Sequence, residues 1–137
     1  MTTKEFAATD ESMCAVNDFV HSLLPQDCHN NTLCQIDVAV EEIFINIAHY
    51  AYCANESEEK RKAFIDCGID EKGAFTVVFR DFGKKFNPLA KEDPDITLSA
   101  EERNIGGLGI FLTKKFMTSV TYEYKDSQNI LTIKKQL

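Results

Sequence analysis

The sequence predicts a two-layer α/β sandwich. Two amphipathic helical stripes come first, four apolar runs of strand length follow them, and the last two of those runs are close enough to form a hairpin. With 137 residues, of which 44% are hydrophobic and 10% aromatic, a single domain over 1–137 has enough apolar material for its own core. No internal repeat or low-complexity segment interrupts it.

A short strand over residues 2–7 opens the chain. Thr9 and Asp10 offer a helix N-cap, after which Met13, Val16, Val20, Leu23 and Leu24 keep the 3.6-residue period until Pro25. Asn30-Asn31-Thr32 is the next cap cluster. Leu33, Ile36, Val40, Ile43, Phe44, Ile47 and Ala51 then form one stripe along a helix predicted to reach about Ala54. Polar residues 55–62 turn the chain into strands at 63–69 and 73–80 and, later, at 120–124 and 130–134. Residues 125–129 give the final hairpin a loop of about five residues. A short helix is predicted over 110–117. The stretch 87–104 is rich in Lys, Glu, Asp and Pro and too long for a plain connection, so a lid is expected over about 87–107. Ser99-Ala100-Glu101-Glu102 has a capping-box spelling that allows one helical turn inside it.

Charge and cysteine usage exclude several function classes. Fifteen Lys and Arg against 22 Asp and Glu leave a formal charge of −7, the wrong sign for direct nucleic-acid binding, but compatible with a basic partner or a ligand that brings its own cation. No run approaches the ~18 apolar residues of a membrane span, and Met1-Thr2-Thr3-Lys4-Glu5 does not open like a signal peptide. The expectation is a cytoplasmic protein without a membrane segment. Cys14, Cys28, Cys34, Cys53 and Cys67 are odd in number and contain no C-x-x-C pair, so ordinary thiols are expected rather than a disulfide framework or zinc site.

Chemistry has three candidate locations. On the second helix Glu42 and Asn46 stand four apart on one face, with Tyr50 four further on. A carboxylate beside a carboxamide suits a magnesium and phosphate site, since the amide oxygen ligates hard Mg²⁺ without adding charge and the carboxylate can take a proton from a hydroxyl. The same pattern also describes a solvated helix edge, and Asp37 and Glu41 on neighbouring faces read that way. The second location is Asp81-Phe82-Gly83, closing an apolar strand. A carboxylate there accepts from the amino group of adenine and meets an unpaired acceptor in guanine, although an Asp-x-Gly turn is the plainer alternative. The third is Gly106-Gly107-Leu108-Gly109 before a helix, where bare N–H groups and the helix dipole receive phosphate, or where the chain simply turns. Lys84, Lys85, Arg103, Lys114 and Lys115 are close enough in sequence to add positive charge.

Taken in order, "VEEIFINIAHYAY", "RDFGKKFNPLAKEDPD" and "GGLGIFLTKKFM" resemble the N, G1 and G2 boxes of the GHKL ATPase superfamily, and within it the stand-alone anti-sigma-factor serine kinases. The likeness runs from about Phe6 to Leu137. It implies the Bergerat fold, a mixed, mostly antiparallel sheet with helices on one face. It further implies ATP and Mg²⁺ as ligands, with Glu42 as general base, Asn46 as metal ligand and Tyr50 alongside, Asp81 reading the adenine and Gly83 lining the base pocket. Gly106, Gly107, Leu108 and Gly109 would hold the phosphates. The implied activity is a protein serine/threonine kinase that phosphorylates an anti-anti-sigma partner of STAS fold and regulates a sigma factor. A homodimer is compatible with the family. The alternative is a nucleotide-dependent binding module with little transfer of its own. A phosphorelay kinase fits less well, because His21, His29 and His49 lie on no dimerisation helix and read as structural.

The chain departs from the family pattern at four places. Thr118 follows Met117 where Asp is usual, Ile105 stands where Arg is usual, and Lys85 replaces a second G1 glycine, which implies a stiffer loop. Asn129-Ile130 takes the place of a Gly-Thr pair, which implies the loss of a polar contact to the base.

Overall fold

The computed structural model of the chain describes residues 1–90 and 108–137. Five strands, β1 (Thr2–Ala7), β2 (Lys62–Ile69), β3 (Ala74–Asp81), β4 (Ser119–Lys125) and β5 (Gln128–Gln136), form one sheet in the order β1-β2-β3-β5-β4. Three helices, α1 (Met13–Leu23), α2 (Asn30–Asn46) and α3 (Leu108–Phe116), complete the second layer. Alternation along the strands sets the layering. In β2 Ala63, Ile65 and Cys67 are buried, while Lys62, Phe64, Asp66 and Gly68 between them are not. Those inward residues, with Phe6, Val77, Phe79 and Ile133, pack on Val16 and Val20 of α1 and on Ile36, Val40 and Phe44 of α2.

Every pairing in the sheet is antiparallel, in keeping with the mostly antiparallel sheet expected. The chain leaves β3, passes through α3 and enters β4 at the sheet edge, and the hairpin then inserts β5 between them. β3 and β4, which run the same way, therefore never touch. The hairpin turn is tighter than expected. Asp126 and Ser127, both at positive φ (53° and 62°), make a two-residue connection whose left-handed backbone matches the strand twist. Between β2 and β3 the Asp70 side chain accepts from the N–H groups of Lys72 and Ala74, each at 2.9 Å, and Gly73 takes φ 81°.

The helices differ from the sequence expectation in three respects. First, a 3-10 turn at Asp10–Ser12 precedes α1, and α2 is capped by His29, whose Nδ1 accepts from the N–H of Asn31 at 3.2 Å, ahead of the Asn-Asn-Thr cluster. Second, the α-helix does not run on to Ala54. It ends at Asn46 and widens into a π turn over Ile47–Ala51. Third, the edge that carries Asp37 and the exposed Glu41 is also engaged by the preceding helix. They face α1, where Asp37 meets His21 at 2.5 Å and Glu41 accepts from Asn17 at 3.3 Å. His49 bonds Asp10 at 2.7 Å, so all three histidines act as local clips, in keeping with their structural reading. No helix among the described residues is long and apolar enough to cross a membrane.

Candidate functional site

The stripe Ile43, Asn46, Ile47 and Tyr50 forms one wall of a cavity open to solvent at its mouth. The sheet supplies the floor through Phe79, Asp81, Asn129 and Leu131, all on its inward face, and α3 adds Ile110. A flat, mainly apolar slot with a few polar groups at its base suits a heteroaromatic ring.

Asp81 is the polar anchor of that floor. Only 5% of its surface is exposed, and it ends β3 directly opposite Asn129 on β5. Its Oδ1 accepts from the N–H of Gly83 at 2.9 Å and from Nδ2 of Asn129 at 3.0 Å. Burial pushes the Asp81 carboxyl above the usual carboxylate value, and the Asn129 and Gly83 donors pull in the other direction. Gly83 is required on steric grounds, since a Cβ there would lie 2.1 Å from the backbone oxygen of Ala51. That oxygen accepts from the N–H of Lys84 at 3.0 Å, so the π turn and the G1 loop close on each other.

Glu42 and Asn46 are brought together as their spacing predicts, with Asn46 Nδ2 donating to Glu42 Oε1 at 3.3 Å. Asn46 lines the cavity. Glu42 does not, because its carboxylate lies against the first turn of α3, and a Cβ on Gly109 would fall 1.9 Å from its Cδ. Tyr50 borders the cavity from an exposed position, edge-on to His49. Leu108 opens α3 and is exposed. Gly106 and Gly107, together with Arg103, Ile105, the capping-box spelling and most of the lid, lie outside the described residues. Of the nearby lysines, Lys84 lines the cavity, Lys85 sits over the Tyr124 ring at 5.3 Å and Lys115 over Phe111 at 5.2 Å. Thr118 is remote from the cavity and accepts from the N–H of Gln136 at 2.8 Å, tying α3 to β5.

Sequence reasoning missed three contributors. Tyr52 donates to the Lys62 oxygen at 2.6 Å and accepts from the N–H of Phe82 at 2.9 Å, which fixes the start of the G1 loop. Tyr122 projects from β4 onto Asn129 at 2.5 Å. Asn129 itself is a polar anchor at the cavity floor. It is buried and bonds Asp81, Lys84, Phe86 and Tyr122, while Ile130 pairs with Arg80 in the register. The alternation of Val120, Tyr122 and Tyr124 was a usable signal for Tyr122, but the 81–129 pairing needed the strand register.

The donor set suits Mg-nucleotide. Asn46 offers a hard amide oxygen beside a carboxylate, and the missing Cβ of Gly83 lets the loop backbone pack on Ala51, which lines the cavity. Comparison with curated proteins finds no match. Among the solved structures that share the fold are three that illustrate it. The RsbU and RsbW domains of Rv1364c from Mycobacterium tuberculosis superpose at a TM-score of 0.65 with 11% identity, over 100% of this chain and 33% of that one. The SiaB–SiaC complex from Pseudomonas aeruginosa matches at 0.58 with 14% identity, over 98% and 89%. The histidine kinase domain of the blue-light activated histidine kinase from Erythrobacter litoralis EL346 matches at 0.53 with 18% identity, over 77% and 45%. The chain thus spans a third of the first protein and under half of the histidine kinase. The profile of the histidine kinase-like ATPase domain matches residues 6–135, nearly the whole chain, and the protein belongs to that family.

Proposed function

We propose that the chain binds Mg-ATP in this cavity and acts as a protein serine/threonine kinase of the anti-sigma-factor type, with a STAS-fold anti-anti-sigma protein as substrate and a sigma factor as regulated partner. The observation that carries the reading is the pairing of Asn46 on one wall, bonded to Glu42 behind it, with a buried carboxylate, Asp81, on the floor. In this reading Asp81 accepts from the adenine amino group and the Asn46 oxygen holds the metal. Mg²⁺, when bound, neutralises phosphate charge that this acidic chain cannot neutralise alone. Glu42 takes the proton from the attacking hydroxyl as its oxygen bonds the γ-phosphorus and the bond to the β-phosphate oxygen breaks. The four residues of the Gly106–Gly109 box receive the phosphates.

One observation favours the second reading, a nucleotide-dependent binding module. Glu42 lies against α3 and away from the cavity, so nucleotide could set partner affinity without transfer. Radiolabel transfer from γ-labelled ATP to a purified STAS-domain protein separates the two. The kinase reading expects labelled serine or threonine, and a loss of about 10²-fold or more with Asn46→Ala. Nucleotide-dependent capture of the partner with no label, unaltered by Glu42→Ala, would establish the module instead.

A further inference from the structure

The carboxamide of Asn129 has only one orientation compatible with its surroundings. The N–H of Phe86, 3.1 Å from Oδ1, can only donate, so the atom facing it must be oxygen. The backbone oxygen of Lys84, 2.9 Å from Nδ2, can only accept, so the atom facing it must be the amide nitrogen. Tyr122 adds a second donor to Oδ1 at 2.5 Å. With the amide fixed in this way, its remaining N–H necessarily points at Asp81 Oδ1, 3.0 Å away. Gly83 N–H occupies the same Asp81 oxygen, which leaves Oδ2 for whatever enters the cavity that Asp81 lines.

We propose that Asn129, aligned by Tyr122, is the positioning residue that sets purine specificity: it holds the Asp81 carboxylate in one rotamer, with Oδ2 presented to an adenine amino group. The inference rests on the adenine-site reading above and deepens it. Asn129 takes the place of a family pair through which the resemblance implied a lost contact, and it acts through Asp81 and the 84–86 backbone rather than on the base directly. The physical consequence concerns guanine. An Asp81 deprived of the Asn129 donor, in a site this buried, takes up a proton more readily, and a protonated carboxyl can donate to the guanine carbonyl oxygen. Adenine selectivity therefore depends on the amide.

The test is calorimetric titration of the full chain with ATP and with GTP, for wild type, Asn129→Ala and Tyr122→Phe, with folding checked by circular dichroism. Wild type is expected to prefer ATP. Asn129→Ala should lose about tenfold or more in ATP affinity while GTP changes by less than about threefold, so that the selectivity ratio falls. Tyr122→Phe removes one hydroxyl from a strand at the sheet edge, leaves the fold intact, and should lower the ratio by about threefold. A merely structural role would weaken both nucleotides together, and that result, or an unchanged ratio in both variants, overturns the proposal while leaving the adenine site standing. Failure of the wild type to bind either nucleotide removes the adenine-site reading and this inference with it.

Discussion

Asp81→Asn is the sharpest perturbation of the site, because the structure fixes what the new amide must do. Two donors, the Gly83 N–H at 2.9 Å and the Asn129 amide at 3.0 Å, already point at Oδ1. An asparagine at 81 satisfies both only by turning its oxygen toward them, which aims its NH₂ group into the cavity. An adenine amino group would then meet a donor where it needs an acceptor. The charge-assisted hydrogen bond is lost, worth about 1.5–3 kcal/mol, and a buried donor is left unpaired at about 1–3 kcal/mol. Together these give about 2.5–6 kcal/mol, or about two to four orders of magnitude in Kd. Folding should not suffer. Burial raises the Asp81 pKa, so the ionised form opposes folding as pH rises through the folded-state value, and a neutral amide carries no such cost. The assay is calorimetry with Mg-ATP, alongside thermal unfolding without nucleotide. A variant that unfolds no earlier than wild type, loses ATP and gains relative affinity for GTP is the expected result. ATP affinity retained within about threefold would refute the assignment of Asp81 as the base reader, whatever the family likeness.

Two glycine substitutions should behave differently. At Gly83 the clash is with backbone, 2.1 Å from the Ala51 oxygen, so Gly83→Ala must move the loop and should cost about 1–3 kcal/mol of stability along with nucleotide binding. At Gly109 the clash is with the end of the flexible Glu42 side chain, so Gly109→Ala should unfold at nearly the wild-type temperature yet impair phosphoryl transfer by displacing the base, as paired melting and transfer assays would show. Acid stability should depend on Asp66. Burial alone would raise its carboxyl, but hydrogen bonds from Arg80 and Thr3 outweigh it and hold the pKa below the ordinary 3.8. The stabilisation is therefore complete above that value and lost as pH falls through the lowered one, so Arg80→Gln should lower Tm at neutral pH and converge with wild type near pH 2. Ser127→Gly, at φ 62°, should raise Tm by about 2–4 °C in a scanning calorimeter, since glycine adopts that backbone without strain.

The features legible in the sequence were those carried by local patterning. Period-3.6 spacing located α1 and α2, and apolar runs located β2 to β5, because a face that must be buried writes its pattern into neighbouring residues. Local patterning also placed Glu42 and Asn46 on one helical face and Asp81 at the end of its strand. It misread boundaries where tertiary contact decides them. The apolar stripe does continue through Ile47 and Ala51, yet Ala51 is drawn to Lys84 of a loop some thirty residues on, and the backbone widens into a π turn there. Asp37 and Glu41 do edge the helix at the surface, but their partners, His21 and Asn17, belong to the preceding helix and are not visible in local spacing.

Asn129 shows the same limit at the site itself. Read within its own strand it is a polar residue entering an apolar run, and the resemblance made it a departure from the family pattern. Its role exists only once β5 lies between β3 and β4, which brings Asp81 opposite it and Tyr122 within reach. Loop residues 84 and 86 then contribute one acceptor and one donor, and those two backbone groups, whose chemistry no side-chain substitution alters, dictate which way the amide must face. A substitution at 129 therefore has to be judged against the backbone of a segment more than forty residues away. Threonine has a single hydroxyl hydrogen to donate, so it cannot serve both the Lys84 oxygen and Asp81, and Asn129→Thr should leave one of those acceptors unpaired and loosen either the loop or the carboxylate.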